Sequence, residues 1–345
     1  MNICLKSPLD NVIIEQLTEN QLKFLEDRKH QEIVAENPDW LNLVRKGEED
    51  SIPDPAKFEF DADGFDGDVK FYVLLSENDD MSNAKETLCE RNSCEIYNLF
   101  LGKQYFWKVA AKLGEKQIDE SETRSFTTSA RTPRSIRAGG LSNIRDLGGY
   151  KCSNGRQVKQ GLIYRGCEME FHHTITEHGI SVLKDELKIR TDLDLRIEAV
   201  DKVFASALGD SVSFTLIPTL AYEKFFEDKE TCKKLFKLLT DESTYPHYMH
   251  CWGGADRTGT FSLVILGMLG VDKEFLFEDY EYTSLSIWGK RSITSDHFKD
   301  LLASLDEYGT ENDSINEKCK NFLRACGITD DDMAKIRDIM TEPCN

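Results

Sequence analysis

The sequence has no Cys-x-x-Cys pair, and none of its ten cysteines stands with histidine at zinc-ligand spacing. That spacing indicates no zinc site, and no metal or cofactor is expected. No stretch approaches the roughly 18 apolar residues that a membrane-crossing helix needs. The opening residues MNICLKSPLDNVIIEQL lack the basic, apolar and small-residue order of a secretory leader. A cytoplasmic location is the default expectation, and a secreted one would follow if a leader had been removed. Basic residues are in deficit, 43 against 62 acidic ones, for a formal charge of −19. Such a surface repels nucleic acid and anionic membranes, and neither is expected as a bulk partner, although a local basic pocket remains compatible with it. No internal repeat is evident.

The chain has 345 residues, 40% hydrophobic and 10% aromatic, enough for two packed domains. Residues 1–50 read as a polar helical arm: Thr18 and Gln21 fit a capping box, Leu22, Leu25 and Ile33 recur at helical spacing, and Asn37-Pro38 stops the helix. Residues 51–130 change character. AKFEFDA, VKFYVLLSE, SCEIYNLFL, KQYFWKVAAKL and TRSFTTS are short, β-branched or aromatic, and divided by turn residues, as in an all-β sandwich. Between two of them, Asp61 to Asp68 misses the calcium-loop pattern, because Phe65 stands where an oxygen ligand is required, and it reads as a hairpin turn. Cys89 and Cys94 could form a disulfide if the protein is exported and are otherwise ordinary buried thiols; most of the cysteines read as small core hydrophobes. Residues 131–140 read as a linker. From 141 to 345 strands alternate with helices, which predicts a mixed or parallel sheet flanked by helices, with a helical C-terminal part.

The chemistry concentrates in YMHCWGGADRTGTF, Tyr248 to Phe261. A strand-like segment precedes Cys251, and the run from Thr258 to Leu269 is apolar on nearly every face, predicting a buried helix. A loop between strand end and helix start leaves N–H groups and the positive helix pole aimed at one spot. Gly253 and Gly254 remove the Cβ atoms that would obstruct an anion cradle, and Arg257 can close it with two parallel hydrogen bonds. The same surroundings favour a thiolate at Cys251, a nucleophile for phosphorus. The cradle is Trp252, Gly253, Gly254, Ala255, Asp256, Arg257 and Thr258, whose hydroxyl is placed to steady the sulfur as it leaves. His250 either orients the loop or is a plain core histidine.

HCWGGADRTG resembles the active-site loop of cysteine-dependent protein tyrosine phosphatases. LSNIRDLGGY (Leu141 to Tyr150), GLIYRG (Gly161 to Gly166) and TDLDLR (Thr191 to Arg196) narrow the resemblance to the bacterial-type family, over roughly residues 138 to 310. It implies a metal-independent phosphomonoesterase acting on phosphotyrosine, with some members also taking phosphoserine, phosphothreonine or phosphoinositides. Many members carry lysine before the Asp-Arg pair; here Ala255 stands there, which tilts away from highly anionic substrates, although Lys290 and Arg291 of WGKRS could supply charge. The proton for the leaving oxygen would come from Asp256, matching the acid proposed in that family, or from Asp194, whose alternative is a pairing with Arg196. Arg145 and Asp146 read as a buried pair beneath the site. Separately, IYNLFLGKQYFWKVAA resembles the fibronectin type III pattern. Two rivals stand beside the phosphotyrosine reading: an inositol phosphate phosphatase, and a non-catalytic phosphate-binding or adhesion module. The partner is in each case a phosphorylated protein or small molecule.

Overall fold

The computed structural model describes residues 1–26 and 49–344. The expected helix continuation through Ile33 and its stop at Asn37-Pro38 lie outside the described residues. The chain divides into two compact units, residues 1–18 with 53–132 and residues 19–52 with 133–345.

The first unit carries strands β1 (Asn2–Ser7), β2 (Val12–Ile14), β3 (Ala56–Asp63), β4 (Val69–Ser76), β5 (Lys85–Leu88), β6 (Ser93–Ile96), β7 (Gln104–Leu113), β8 (Lys116–Glu120) and β9 (Arg124–Thr128). One sheet runs β1-β3-β6 and another β2-β9-β7-β4-β5, with β8 on β7. In β3 Ala56, Phe58 and Phe60 are buried while Lys57, Glu59 and Asp61 face out, the period of two that the pleat imposes. Phe58 meets Trp107 edge-on at 5.0 Å, and Leu5, Val73 and Phe126 join them in one cluster drawn from both sheets. Burying each such large side chain contributes about 1.5–3 kcal/mol.

Two expectations change here. Residues 2–7 and 12–14 are strands, not part of a helical arm; β1 finds its partner in β3, Leu5 opposite Phe60, a pairing too distant in sequence to be read locally. Among the described residues the helix spans Glu19–Glu26. The glycine-rich Asp61 to Asp68 segment is not a hairpin turn either, because β3 and β4 belong to different sheets and it carries the chain from one to the other. Cys89 and Cys94 are free thiols.

The second unit contains β10 (Arg134–Ser135), β11 (Arg145–Asp146), β12 (Arg156–Val158), β13 (Ile163–Gly166), β14 (Thr191–Asp194), β15 (Ser213–Leu216), β16 (His247–His250) and β17 (Thr341–Pro343). Its main sheet runs β10-β11-β13-β16-β14-β15, and β12 pairs with β17. The β13, β16, β14 and β15 strands are parallel, and β10 and β11 are antiparallel additions. The segment expected to link the domains is therefore folded from Arg134 onward, with Ile136 and Ala138 buried. Alternate residues go to opposite faces: Ile163, Leu193 and Met249 enter one core, Tyr164 and Tyr248 the other. Both faces are thus covered, as parallel strands require.

The helix Asp256–Leu269 is buried from Thr258 to Leu269 and ends at Gly270 in the left-handed conformation, φ 93°. His250, last residue of β16, lies between Gly166 of β13 and Asp194 of β14. Cys251 therefore opens the loop at the carboxyl edge of the parallel strands, where open α/β sheets hold their ligands. Among the described residues no helix is long and apolar enough to cross a membrane.

Candidate active site

The loop after β16 is held by its carbonyl oxygens. That of Trp252 accepts from the Glu168 N–H at 2.9 Å, and that of Gly253 from the Asn143 side-chain amide at 2.9 Å. The Gly254 carbonyl accepts from Arg165 Nη2 at 2.5 Å, and the Ala255 carbonyl from the Gly259 N–H at 3.0 Å. In a trans peptide the N–H points opposite to the C=O of the same plane. The N–H groups of Gly253, Gly254, Ala255 and Asp256 therefore point away from the donors that hold the four carbonyls. Gly254 has φ 65°, and a Cβ there would lie 2.2 Å from the Gly166 oxygen, so only glycine passes. Cys251 sits at the base, 3% exposed. The Thr258 hydroxyl is buried with no hydrogen-bond partner among the described residues.

His250 is wholly buried. Its Nε2 lies 2.9 Å from Asp192 Oδ1, its Nδ1 3.9 Å from Asp194 Oδ1 and 3.4 Å from the Cys251 carbonyl. Burial opposes its charge, but Asp192 and then Asp194 outweigh burial and the nearby Arg196, and the imidazole is pushed up to about 9. A histidine whose folded pKa is raised contributes stability that is complete below its unfolded value, near 6.5, and is lost as pH rises toward about 9. Urea midpoints for this unit are expected to fall across that window, and Asp192→Asn is expected to lower stability at neutral pH and flatten the dependence.

Below the loop Asp279 joins two arginines. Arg145 Nε donates to its Oδ1 at 2.7 Å, and Arg165 Nη1 donates to its Oδ2, all three side chains being almost fully buried. Arg145 also donates to Asn143 Oδ1 at 2.6 Å and to the Asp279 carbonyl at 2.7 Å. The expected Arg145–Asp146 pair does not form. Neighbours on a strand point to opposite faces, so Asp146 turns away and accepts from Arg134 Nη1 at 2.9 Å. Asp279, Arg145, Asn143 and Arg165 thus form one chain of contacts ending on the loop carbonyls of Gly253 and Gly254.

The rim is aromatic. Phe171 and His172 lie 5.6 and 4.5 Å from Trp252, and His172 and His173 lie 5.9 and 5.4 Å from Trp288. A Cβ on Gly253 would lie 2.4 Å from the Trp288 ring, which therefore rests on the loop itself. The Glu168 carboxylate fixes this rim by accepting from the N–H groups of Glu170, Phe171, His172 and His173. Asp194 is taken by Arg196, whose Nη2 lies 2.8 Å from Oδ2, and Arg196 in turn lies under Trp252 at 5.4 Å.

Arg257 Nη1 pairs with Glu198 at 2.7 Å. Asp256 accepts from Arg291 Nε at 2.7 Å and Nη2 at 2.9 Å, and from the Tyr222 hydroxyl. Arg291, expected as a substrate contact, is thus bound to the expected acid, while Lys290 has no ion-pair partner among the described residues. Arg165, Asp279, Glu198 and Tyr222 had no role in the sequence reading. Arg165 lies within the YRG segment that was singled out, so a signal was present; the others fall outside every motif.

A tyrosine phosphatase family model matches residues 136–342. Among curated proteins none is similar enough to match. Among solved structures, TpbA of P. aeruginosa in complex with pTyr is 17% identical, with a TM-score of 0.32, over 50% of this chain and 90% of that one. The core catalytic domain of the PP-IP phosphatase SIW14 from S. cerevisiae, in complex with citrate, is 14% identical, with a TM-score of 0.31, over 42% and 82%. Spanning more than half of the sequence, the family match is decisive: the chain belongs to the tyrosine phosphatase family and is a cysteine-dependent phosphatase.

Proposed function

We propose that the enzyme hydrolyses phosphotyrosine through a phosphocysteine intermediate, with Cys251 as nucleophile, Arg257 as phosphate clamp and Asp256 as proton donor. The observation that carries the reading is the outward-held carbonyls of residues 252–255, which leave four N–H groups to receive phosphate oxygens in front of the Cys251 thiol. Cys251 Sγ bonds to phosphorus as the bond to the tyrosyl oxygen breaks, and that oxygen takes a proton. Water then attacks phosphorus, giving up a proton to the Asp256 carboxylate, and the sulfur leaves as thiolate beside the Thr258 hydroxyl. His250 supports the loop from its last strand position.

The aromatic rim of Phe171, His172, Trp252 and Trp288 supports an aryl ester. An inositol phosphate would need several uncommitted cations. Of the expected basic contacts, Arg257 and Arg291 are each paired with a carboxylate, and Lys290 has no ion-pair partner among the described residues. For the first unit we adopt a fibronectin type III-like sandwich, supported by two sheets sharing one core around Trp107.

The test is turnover of phosphotyrosine peptides, phosphoserine peptides and inositol phosphates with chelator present. Chelator-resistant hydrolysis of phosphotyrosine that disappears in Cys251→Ser is expected. Hydrolysis of inositol phosphates alone would replace the substrate, and none at all from folded, reduced protein would remove the catalytic reading.

A further inference from the structure

We propose that Arg291 is a positioning residue: it holds Asp256 as a carboxylate and so withholds the proton donor until the turn Trp288 to Arg291 lets go. The inference rests on the phosphatase reading above and adds a control over its acid step.

The geometry is specific. One guanidinium occupies both Asp256 oxygens, through Nε to Oδ1 and Nη2 to Oδ2, and the Tyr222 hydroxyl adds a second donor to Oδ1. A proton placed on this carboxylate must displace one of those donors. Every element packed against Asp256 contributes to its surroundings. Arg257 follows it on the same helix and is itself paired with Glu198. Tyr222 comes from the segment after β15. From the helix Lys273–Tyr282 comes Tyr280, its hydroxyl 3.0 Å from that of Tyr222. His297, from the helix Asp296–Asp306, stacks on the Tyr222 ring at 5.2 Å. Arg291 and Lys290 come from the turn. Burial raises the Asp256 carboxyl, but Arg291, then Tyr222 and Arg257, outweigh it, and the net direction is below the ordinary value.

The grip is coupled to the phosphate loop. Arg291 Nη1 donates to the carbonyls of Lys290 at 3.0 Å and Trp288 at 3.3 Å, and its own N–H donates to Ser284 Oγ at 2.8 Å. The guanidinium therefore staples its turn together while holding Asp256, and the same turn seats Trp288 on Gly253. A substrate ring that moves Trp288 disturbs the staple. Tyr222, on the other side of Asp256, is held at φ 56° and ψ −134°, a conformation that non-glycine residues rarely adopt and that persists where neighbouring contacts impose it.

The consequence is chemical. When the P–O bond breaks with Asp256 ionised, the tyrosyl oxygen leaves as phenolate, and a phenol of pKa about 10 is a poor leaving group. A nitrophenolate leaves readily without a proton. Activity on phosphotyrosine is thus expected to fall as pH rises through the lowered Asp256 value, more steeply than activity on p-nitrophenyl phosphate.

The experiment compares pH profiles of kcat/KM for a phosphotyrosine peptide and p-nitrophenyl phosphate in four proteins: wild type, Arg291→Met, Arg291→Lys, and Arg291→Met combined with Asp256→Asn. In Arg291→Met the alkaline limb for phosphotyrosine is expected to move up by about one pH unit, raising the phosphotyrosine to p-nitrophenyl phosphate ratio about tenfold above the original limb. Asp256→Asn is expected to abolish that gain. Arg291→Lys keeps the charge and is expected to move the limb less; if Arg291→Met fails to fold by circular dichroism, the lysine variant carries the test. A limb that stays in place while both substrates fall together overturns the proposal alone, as does a gain that survives Asp256→Asn. A wild type inactive on both esters overturns the phosphatase reading and the proposal with it.

Discussion

Asp279→Ala is expected to cost the unit that carries the site about 3–5 kcal/mol, the range for breaking a buried ion pair by removing one partner. The reason is that two charges depend on one carboxylate. Arg145 and Arg165 both donate to Asp279, and neither guanidinium has water to turn to, their side chains being 1% and 0% exposed. Burial alone would raise the Asp279 carboxyl, and Arg145 and Arg165 together bring it below its ordinary value. Urea unfolding of this unit at neutral pH, compared with wild type, measures the loss. A change below about 1 kcal/mol would mean that water or other groups replace the carboxylate. The damage should also reach the loop, because Arg165 is the donor to the Gly254 carbonyl. Folded Asp279→Ala protein is accordingly expected to bind phosphate more weakly than wild type.

Arg257→Lys is expected to lower kcat on phosphotyrosine peptides about 10²–10³-fold, the usual effect of removing one well-placed donor to transition-state charge. Lysine keeps the positive charge but cannot present two parallel N–H groups to the phosphate oxygens. One of those N–H positions is occupied by Glu198 at 2.7 Å. An arriving phosphate must therefore compete with that carboxylate. A purely electrostatic clamp would survive the lysine substitution with little loss, so steady-state kinetics distinguish the two. Folding is expected to change little, because lysine keeps the positive charge opposite Glu198, whose side chain is 44% exposed.

The phosphate loop was legible because its determinants are contiguous. A strand, Cys251, two glycines, Arg257 and an unbroken apolar helix occupy one stretch, and local propensity agrees with the fold at each step. The supports were not legible because they come from far away. Arg165 and Asp279 are 114 positions apart, and Arg257 and Glu198 are 59 apart. The expected pairing of Arg145 with Asp146 failed on strand alternation, which adjacency in sequence conceals. The N-terminal strands were missed for a related reason: a six-residue strand such as β1 declares itself only beside its partner β3. For Asp256, sequence could supply the residue type but not Arg291, whose approach depends on how the turn after the helix Lys273–Tyr282 folds back.

The outward anchoring of the loop carbonyls separates two quantities that usually travel together, rigidity and protection from hydrogen exchange. Amides in strands and helices are protected because their N–H groups are already bonded, so slow exchange normally reports an immobile backbone. At Gly253, Gly254 and Ala255 the backbone is held through its oxygens, and under the proposed mechanism its N–H groups are the ones that receive phosphate. Fast exchange at these positions in the empty enzyme would not signify a floppy loop, and slowing on oxyanion binding would record occupancy, with no rearrangement of the chain required.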